Sequence, residues 1–296
     1  MRTLSVVVPY RNWPLDVCEV GFKSLSMQTQ PVHEIILVDI ASTQVGIEAL
    51  CDNYGIKYYY LDIDAPDEAI DVYLWNTCFN YGIRKATKDL VMYSAADRVF
   101  ESNMVECLLD YYNWHLLKKD KVGFFCSKVY NLMRTPELCE LDDFDALIEE
   151  ATWRGGYGYW GSTREWLHKV RGLDETIRWY EDLDLARRAS RDNGRDSILW
   201  ISNGWIEKCL NKCSRVLHLA NHPVGRKKHS GPGIVPIAQR GKQGLSQNLT
   251  VIRNGDSWGL VTKEKIARAL RLLSLSREEI KELQDKGEDP LDYPGL

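Results

Sequence analysis

WRGGYGYWGSTREWLHKVRGLDETIRWYEDLDLARRASR, residues 153–191, holds the densest chemistry in the chain. In order it carries a glycine- and aromatic-rich segment (Gly155-Gly156-Tyr157-Gly158-Tyr159-Trp160-Gly161), an amphipathic stretch from Arg164 to Val170, and a Gly-Leu-Asp-Glu turn at 172–175. An acidic cluster, Glu181-Asp182-Leu183-Asp184, then opens a helix that continues as LARRASR. A carboxylate pair just past a bare backbone platform suits removal of a proton from a hydroxyl lying against that platform. An N-capped helix with acids at the positive end of its dipole would carry the same residues for stability alone. The ordered set is more specific than the acidic pair by itself.

Outward from this stretch, the first hundred residues alternate strand and helix. Leu4–Val8 is an apolar run ended by Pro9, and Glu34–Asp39 is a second run with its acid at the carboxyl end. Short strands are expected at Ile56–Leu61 and Leu90–Tyr93, with helices over Val17–Gln28, Ile47–Tyr54 and Val72–Ala86 between them. That order predicts an α/β sheet whose ligand crevice lies beyond the strand carboxyl ends. A helix is expected over 102–118, one strand over Val122–Val129 and a helix near 143–151. Lys263–Leu273 and Arg277–Gln284 read as two C-terminal helices, the second opened by a Ser276…Glu279 capping box.

With 296 residues, 44% of them hydrophobic and 27% charged, the chain can bury a sizeable core. No apolar run is long enough to span a bilayer, and the amino terminus reads as a strand rather than a signal peptide. The eight cysteines are scattered. Cys209 and Cys213 are close but lack a second pair at zinc spacing, so reduced, buried thiols in a cytoplasmic protein are expected. The net charge of −4 hides an asymmetry: nine cations and no acid lie between Glu207 and Asp256, which leaves −13 on the rest. That segment suits an anionic ligand or is a solvated basic loop. Five glycines and three prolines within 222–247 mark it as a mobile loop, with Arg226 and Lys227 as candidate lid residues.

Three strand ends carry polar groups: Pro9-Tyr10-Arg11-Asn12, Asp39-Ile40-Ala41-Ser42-Thr43, and Ser94-Ala95-Ala96-Asp97. Asn80-Tyr81-Gly82-Ile83-Arg84-Lys85-Ala86 and His218-Leu219-Ala220-Asn221-His222 complete the set. Together with the 153–191 stretch, their order resembles the family-2 glycosyltransferases of the GT-A fold over roughly residues 1–225. The family patterns these stretches resemble are V-P-x-x-N, V-V-D-D-G-S-T, N-x-G-i-x-x-A, a degenerate Asp-x-Asp, G-x-E-D and H-x-x-H. The chain departs at Ile40, at Ala41, and at Ala95, which stands for the first Asp of the metal motif.

The resemblance implies a donor half over about 1–130, an acceptor half over about 131–225, a basic glycine-rich loop at 226–260 and a helical extension at 261–296. It implies donor binding by Pro9, Tyr10, Arg11, Asn12, Asp39, Asn80, Arg84 and Asp97. A divalent metal, manganese favoured over magnesium, would sit on Asp97 and His218, with His222 as second choice. Asp182 would be the general base, with Glu181 or Asp184 binding the acceptor or positioning that base. Trp160 would offer an apolar face to a sugar and Gly161 a close backbone approach, core packing being the alternative for Trp160.

The implied reaction is an inverting transfer from a nucleotide-sugar, UDP-sugar favoured, to a glycan or glycoconjugate hydroxyl. A retaining GT-A transferase and a non-catalytic nucleotide-sugar- or carbohydrate-binding module remain alternatives. Modified nucleic acid is a minor candidate acceptor, since the chain is acidic overall and lacks a nucleic-acid module.

Overall fold

The computed structural model describes residues 2–119, 122–154, 157–175, 181–201, 215–220, 252, 254–276, 279 and 282. Strands β1 (Leu4–Tyr10), β2 (Glu34–Ile40), β3 (Lys57–Leu61) and β4 (Leu90–Tyr93) alternate with helices α1 (Leu15–Ser26) and α2 (Ile47–Asn53). Between β3 and β4 runs a broken helix: α3 (Asp67–Ala69), a π turn at Ile70–Leu74, and α4 (Trp75–Lys85). β5 (Arg98–Phe100), α5 (Met104–Lys119), β6 (Phe124–Cys126), β7 (Val129–Leu132), α6 (Phe144–Glu150) and β8 (Thr152–Arg154) follow. β9 (Trp160–Thr163), α7 (Arg164–Lys169), α8 (Glu181–Asn193), β10 (Ile198–Trp200), β11 (Val216–Leu219) and α9 (Lys263–Ser274) complete the described elements.

The main sheet has the order β10-β6-β9-β4-β1-β2-β3. β1 to β4 are mutually parallel, and β9 is antiparallel to both its neighbours. β1 is apolar because both of its faces are covered, as parallel strands require. Val6 and Val8 face α1 and α5, packing with Phe22, Leu25 and Leu108, whereas Val7 faces α4, α7 and α8 with Phe79, Ile83 and Leu185. Gly82 lets α4 lie close to β1 and β2: a Cβ there would stand 2.4 Å from Val7 Cγ1. α9 caps the far edge, setting Ala269 among Ile40, Ile70, Leu74 and Cys78.

A smaller sheet, β5-β11-β7-β8, packs on α1 and α6 through Val99, Leu132 and Leu217. The single strand expected over Val122–Val129 is two strands in two sheets. The chain leaves the main sheet at Ser127 and re-pairs from Val129, an exchange no hydrophobic period encodes. The glycine-aromatic segment likewise ends in a central strand, β9, and not in an open loop. The expected capping box is present: Ser276 N donates to Glu279 Oε2 at 2.7 Å, and Glu279 N to Ser276 Oγ at 3.2 Å. Five of the described cysteines are buried free thiols. Cys209 and Cys213 lie outside the described residues. No described helix is long and apolar enough to cross a membrane.

Candidate active site

The crevice forms where β1, β2 and β4 end. The Asn12 carboxamide oxygen accepts from Thr43 N at 2.9 Å and Gln44 N at 3.1 Å, while Asn12 N donates to Ser42 Oγ at 3.0 Å. Asn12 and Ala41 both adopt positive φ, so the loops after β1 and β2 are folded tightly against each other. Tyr10 is wholly buried, and its hydroxyl reaches Trp13 O and Gln44 Oε1. Pro9 lies inside β1, in register with Val38. Asp39, also buried, accepts from Ser42 N at 3.0 Å on Oδ1 and from the Tyr58 hydroxyl at 2.7 Å on Oδ2. Each carboxylate oxygen can accept a further bond.

Arg11 is engaged on four sides, by the carbonyls of Ile40 and Ala41 and the carboxylates of Asp67 and Asp71. Its guanidinium therefore holds the crevice wall together.

Two expected donor residues are placed elsewhere by the topology. A helix that connects parallel strands starts at their carboxyl edge and ends at their amino edge. Arg84, in the last turn of α4, is therefore remote from the crevice; its Nη1 donates to Trp258 O at 2.6 Å and it stacks on that indole. Asn80 is completely buried and binds Leu173 N, Leu173 O and Glu175 Oε1. It anchors the Gly-Leu-Asp-Glu turn. Glu175 also accepts from Gly259 N at 2.6 Å and pairs with Lys265 at 2.6 Å, so the turn is tied to the C-terminal segment.

Asp97 and His218 are brought together from positions far apart in sequence. β11 lies between β5 and β7, with His218 opposite Arg98 on one side and Asn131 on the other. His218 Nε2 stands 2.8 Å from Asp97 Oδ2, and its Nδ1 stands 2.8 Å from Asn131 Oδ1. Arg98 Nη1 holds Asp97 Oδ1 at 2.7 Å, while its Nε donates to Gly158 O at 3.3 Å. Both Asp97 oxygens and both His218 ring nitrogens are thus engaged, so a divalent ion on this carboxylate–imidazole set, whose chemistry suits a borderline or hard cation, would have to replace the Asp97–His218 contact. No group of three or more His, Cys, Asp or Glu able to hold a metal occurs among the described residues.

Arg98 also ties this pair to the glycine-aromatic segment at Gly158. Tyr157 adjoins Gly158, and the Asp182 carboxylate raises the pKa of both Tyr157 and Cys126 after burial has already done so. Burial likewise lifts Asp182 above the usual aspartate range, against a 2.7 Å bond from Leu183 N that favours its anion. Such a carboxylate, in the first turn of α8, is a stronger base than a solvated one. Glu181 shares that turn and is partly exposed.

Three acceptor-side candidates are packed into the protein, Trp160 by the alternative left open for it. Trp160 is 4% exposed, stacked on Tyr93 at 4.7 Å and lying near-parallel to Phe124 at 6.3 Å, with Phe79 edge-on at 5.5 Å. With both faces covered it is core and no sugar platform. Gly161 sits within a central strand, where a Cβ would fall 2.1 Å from Val91 O and 2.6 Å from the Phe125 ring. That close approach is a packing requirement. Asp184 is buried and salt-bridged to wholly buried Arg188 at 2.7 Å, and Arg188 also donates to Gly172 O at 2.9 Å. Two residues beyond Asp182, and so roughly on the opposite face of α8, it faces the core and braces the 172 turn. Arg226, Lys227 and His222 lie outside the described residues.

The residues that sequence alone did not single out are Arg98, Asn131, Tyr157, Trp200, Glu175 as a hub, and Asn254, which binds Arg171 O, Leu173 O and Glu175 N. Tyr157 and Glu175 stand in stretches that the sequence did mark, the glycine-aromatic segment and the Gly-Leu-Asp-Glu turn, but without a role of their own.

No family model and no curated protein matches the chain. Solved structures do match it. S. aureus TarS aligns with 93% of this chain at 14% identity and a TM-score of 0.54; the chain spans 44% of that protein, less than half its length. TarS 1–349 in complex with UDP gives a TM-score of 0.51 at 14% identity, covering 96% of this chain and 78% of that one. M. tuberculosis glucosyl-3-phosphoglycerate synthase gives 0.50 at 15% identity, over 82% of this chain and 80% of that one. By fold, therefore, this chain is a GT-A protein, built on the α/β architecture of these glycosyltransferases.

Proposed function

We propose that this protein is a glycosyltransferase that moves a sugar from a UDP-sugar to a hydroxyl acceptor, with Asp182 as general base. The observation that carries the reading is the position of Asp182. A carboxylate lifted by burial opens α8 beside Tyr157, one residue from the Gly158 carbonyl held by Arg98, which also grips Asp97. In this reading the base and an anion-handling centre face one crevice beyond the strand carboxyl ends, where open α/β sheets bind ligands. The UDP complex of TarS 1–349, a protein of the same fold, supports the choice of nucleotide.

In this mechanism the acceptor O–H gives its proton to Asp182 as its oxygen forms a bond to the anomeric carbon. The bond from that carbon to the diphosphate breaks, UDP departs with the electron pair, and a single in-line attack inverts configuration. Asp39, through free acceptor capacity on its carboxylate, would receive an N–H of the base. Asp97 and His218 would hold a divalent cation, manganese or magnesium, whose remaining positions suit diphosphate and water oxygens. When bound, such an ion supplies Lewis-acid stabilisation of the leaving group.

A second reading, a non-catalytic binding module, is favoured by one feature: Asp97 is already paired on both oxygens, by Arg98 and His218. Calorimetry with UDP and with GDP, each with manganese and again with EDTA, combined with turnover of UDP-sugars by wild type and Asp182→Asn, separates the two. The transferase reading expects metal-dependent UDP binding by both proteins and turnover by wild type alone. Absence of binding by either nucleotide would sink it.

A further inference from the structure

With Trp160 enclosed, the acceptor side needs another apolar surface, and β10 supplies one. Its residues alternate: Leu199 enters the core beneath α1 and α5, while Ile198 packs on the α8 side of the sheet. Trp200, two residues after Ile198, falls on that same side at the carboxyl end of the strand. It is 41% exposed. It pairs in register with Cys126, and its ring lies 5.2 Å from that of Tyr157 at 59°. Burial raises the pKa of both Cys126 and Tyr157, and the Asp182 charge adds to each. Trp153 is more exposed, at 69%, but stands on β8 of the second sheet opposite Tyr130. The ring contact with Tyr157 and the place at the carboxyl end of β10, and not exposure alone, single out Trp200.

We infer that the Trp200 indole, braced by Tyr157, is the platform on which a pyranose ring of the acceptor stacks, presenting one hydroxyl to Asp182. The inference rests on the transferase reading for its role and on geometry for its location. A flat, half-exposed indole offers an apolar face to the axial C–H groups of a sugar, and a tilted neighbour fixes its orientation. The ligand class is thus a saccharide with a pyranose at its accepting end, in preference to a small phosphorylated acid, which needs cations and no aromatic face.

The test uses the full chain, with methyl β-D-glucopyranoside, methyl β-D-galactopyranoside and methyl N-acetyl-β-D-glucosaminide as probes. Binding is followed by saturation-transfer NMR with and without UDP, and UDP affinity by calorimetry on the same preparations. At least one glycoside is expected to bind wild type, and Trp200→Ala and Trp200→Leu to weaken it about tenfold. Trp200→Phe, which keeps an aromatic face, should stay within about threefold, and UDP affinity should not change in any variant. The leucine variant retains apolar bulk, so a loss shared by it and the alanine variant reads out the aromatic face and not the fold. Equal glycoside binding by wild type and Trp200→Leu would overturn the platform. Failure of every glycoside to bind UDP-saturated wild type would also overturn it, while leaving the donor reading intact. Trp200-dependent glycoside binding without any UDP binding would sustain the saccharide site and remove the transferase role.

Discussion

Asp182 is subject to two opposed demands. Its carboxyl is held above the usual aspartate range by burial, so the protonated form stabilises the fold. That stabilisation is complete below the unfolded pKa and is lost as pH rises through the folded one; at neutral pH the ionised base costs stability. Asp182→Asn, whose carboxamide oxygen can still accept from Leu183 N, is therefore expected to keep or slightly raise the melting temperature. It should lower kcat by about 10²–10⁴-fold, as loss of a general base does. Differential scanning fluorimetry beside initial rates checks both halves, and a fall in both together would mean a structural role. Glu34 has the opposite sign. Burial alone would raise it, but bonds from Lys57, Ser5 and Thr87 bring it down to about 2. Its contribution is present above its ordinary value of 4.5 and is lost as pH falls from there toward 2. Urea midpoints measured from pH 6 to 2 should fall less steeply for Glu34→Gln than for wild type. At neutral pH the variant should itself be less stable by ~1–3 kcal/mol, since it disturbs a buried bonding network.

At the scale of elements, β9 and α8 decide where the chemistry lies. β9 is inserted antiparallel between β4 and β6, so Trp160 and Gly161 belong to the middle of the sheet. Gly161→Ala is expected to destabilise the protein by at least ~1–3 kcal/mol, because a backbone carbonyl cannot yield as a flexible side chain would. Chemical denaturation measures it. An unchanged midpoint would show that β9 has room that the geometry denies. α8 presents Asp182 and Asp184 in the same turn, yet the second is buried against Arg188. Asp184→Asn leaves a buried guanidinium without its counter-charge, and a loss of ~3–5 kcal/mol is expected by equilibrium unfolding. Helix start, period and acidic first turn were all legible from the residues around 181. Which acid faces the crevice was not, because that depends on what α8 packs against.

Across the whole molecule, the C-terminal segment is a strap on the 171–175 turn. Lys265 reaches Glu175, Ser257 O and Leu260 O, while Asn254 and Gly259 close on the 171–175 turn, itself pinned by Asn80. Lys265→Ala would strand a buried carboxylate. Its expected signature is faster amide exchange at 171–175 and a stability loss of ~2–4 kcal/mol. Exchange unchanged in that turn would refute the strap. The sequence by itself determined the alternation of strand and helix in the first hundred residues, the polar strand ends at Asp39 and Asp97, the acidic opening of α8, and the pairing of Asp97 with His218 as candidates. These are local properties, written in hydrophobic period, capping and the residue that ends a strand. The tertiary structure alone decided that Trp160 is core while Trp200 is open, that Asp184 is spent on Arg188, and that Arg84 stands at the wrong edge. It also set Asn80 against the 173–175 turn. Each of these depends on which strand is inserted where and in which direction. Such choices are made by long-range pairing and burial, to which spacing along the chain is blind.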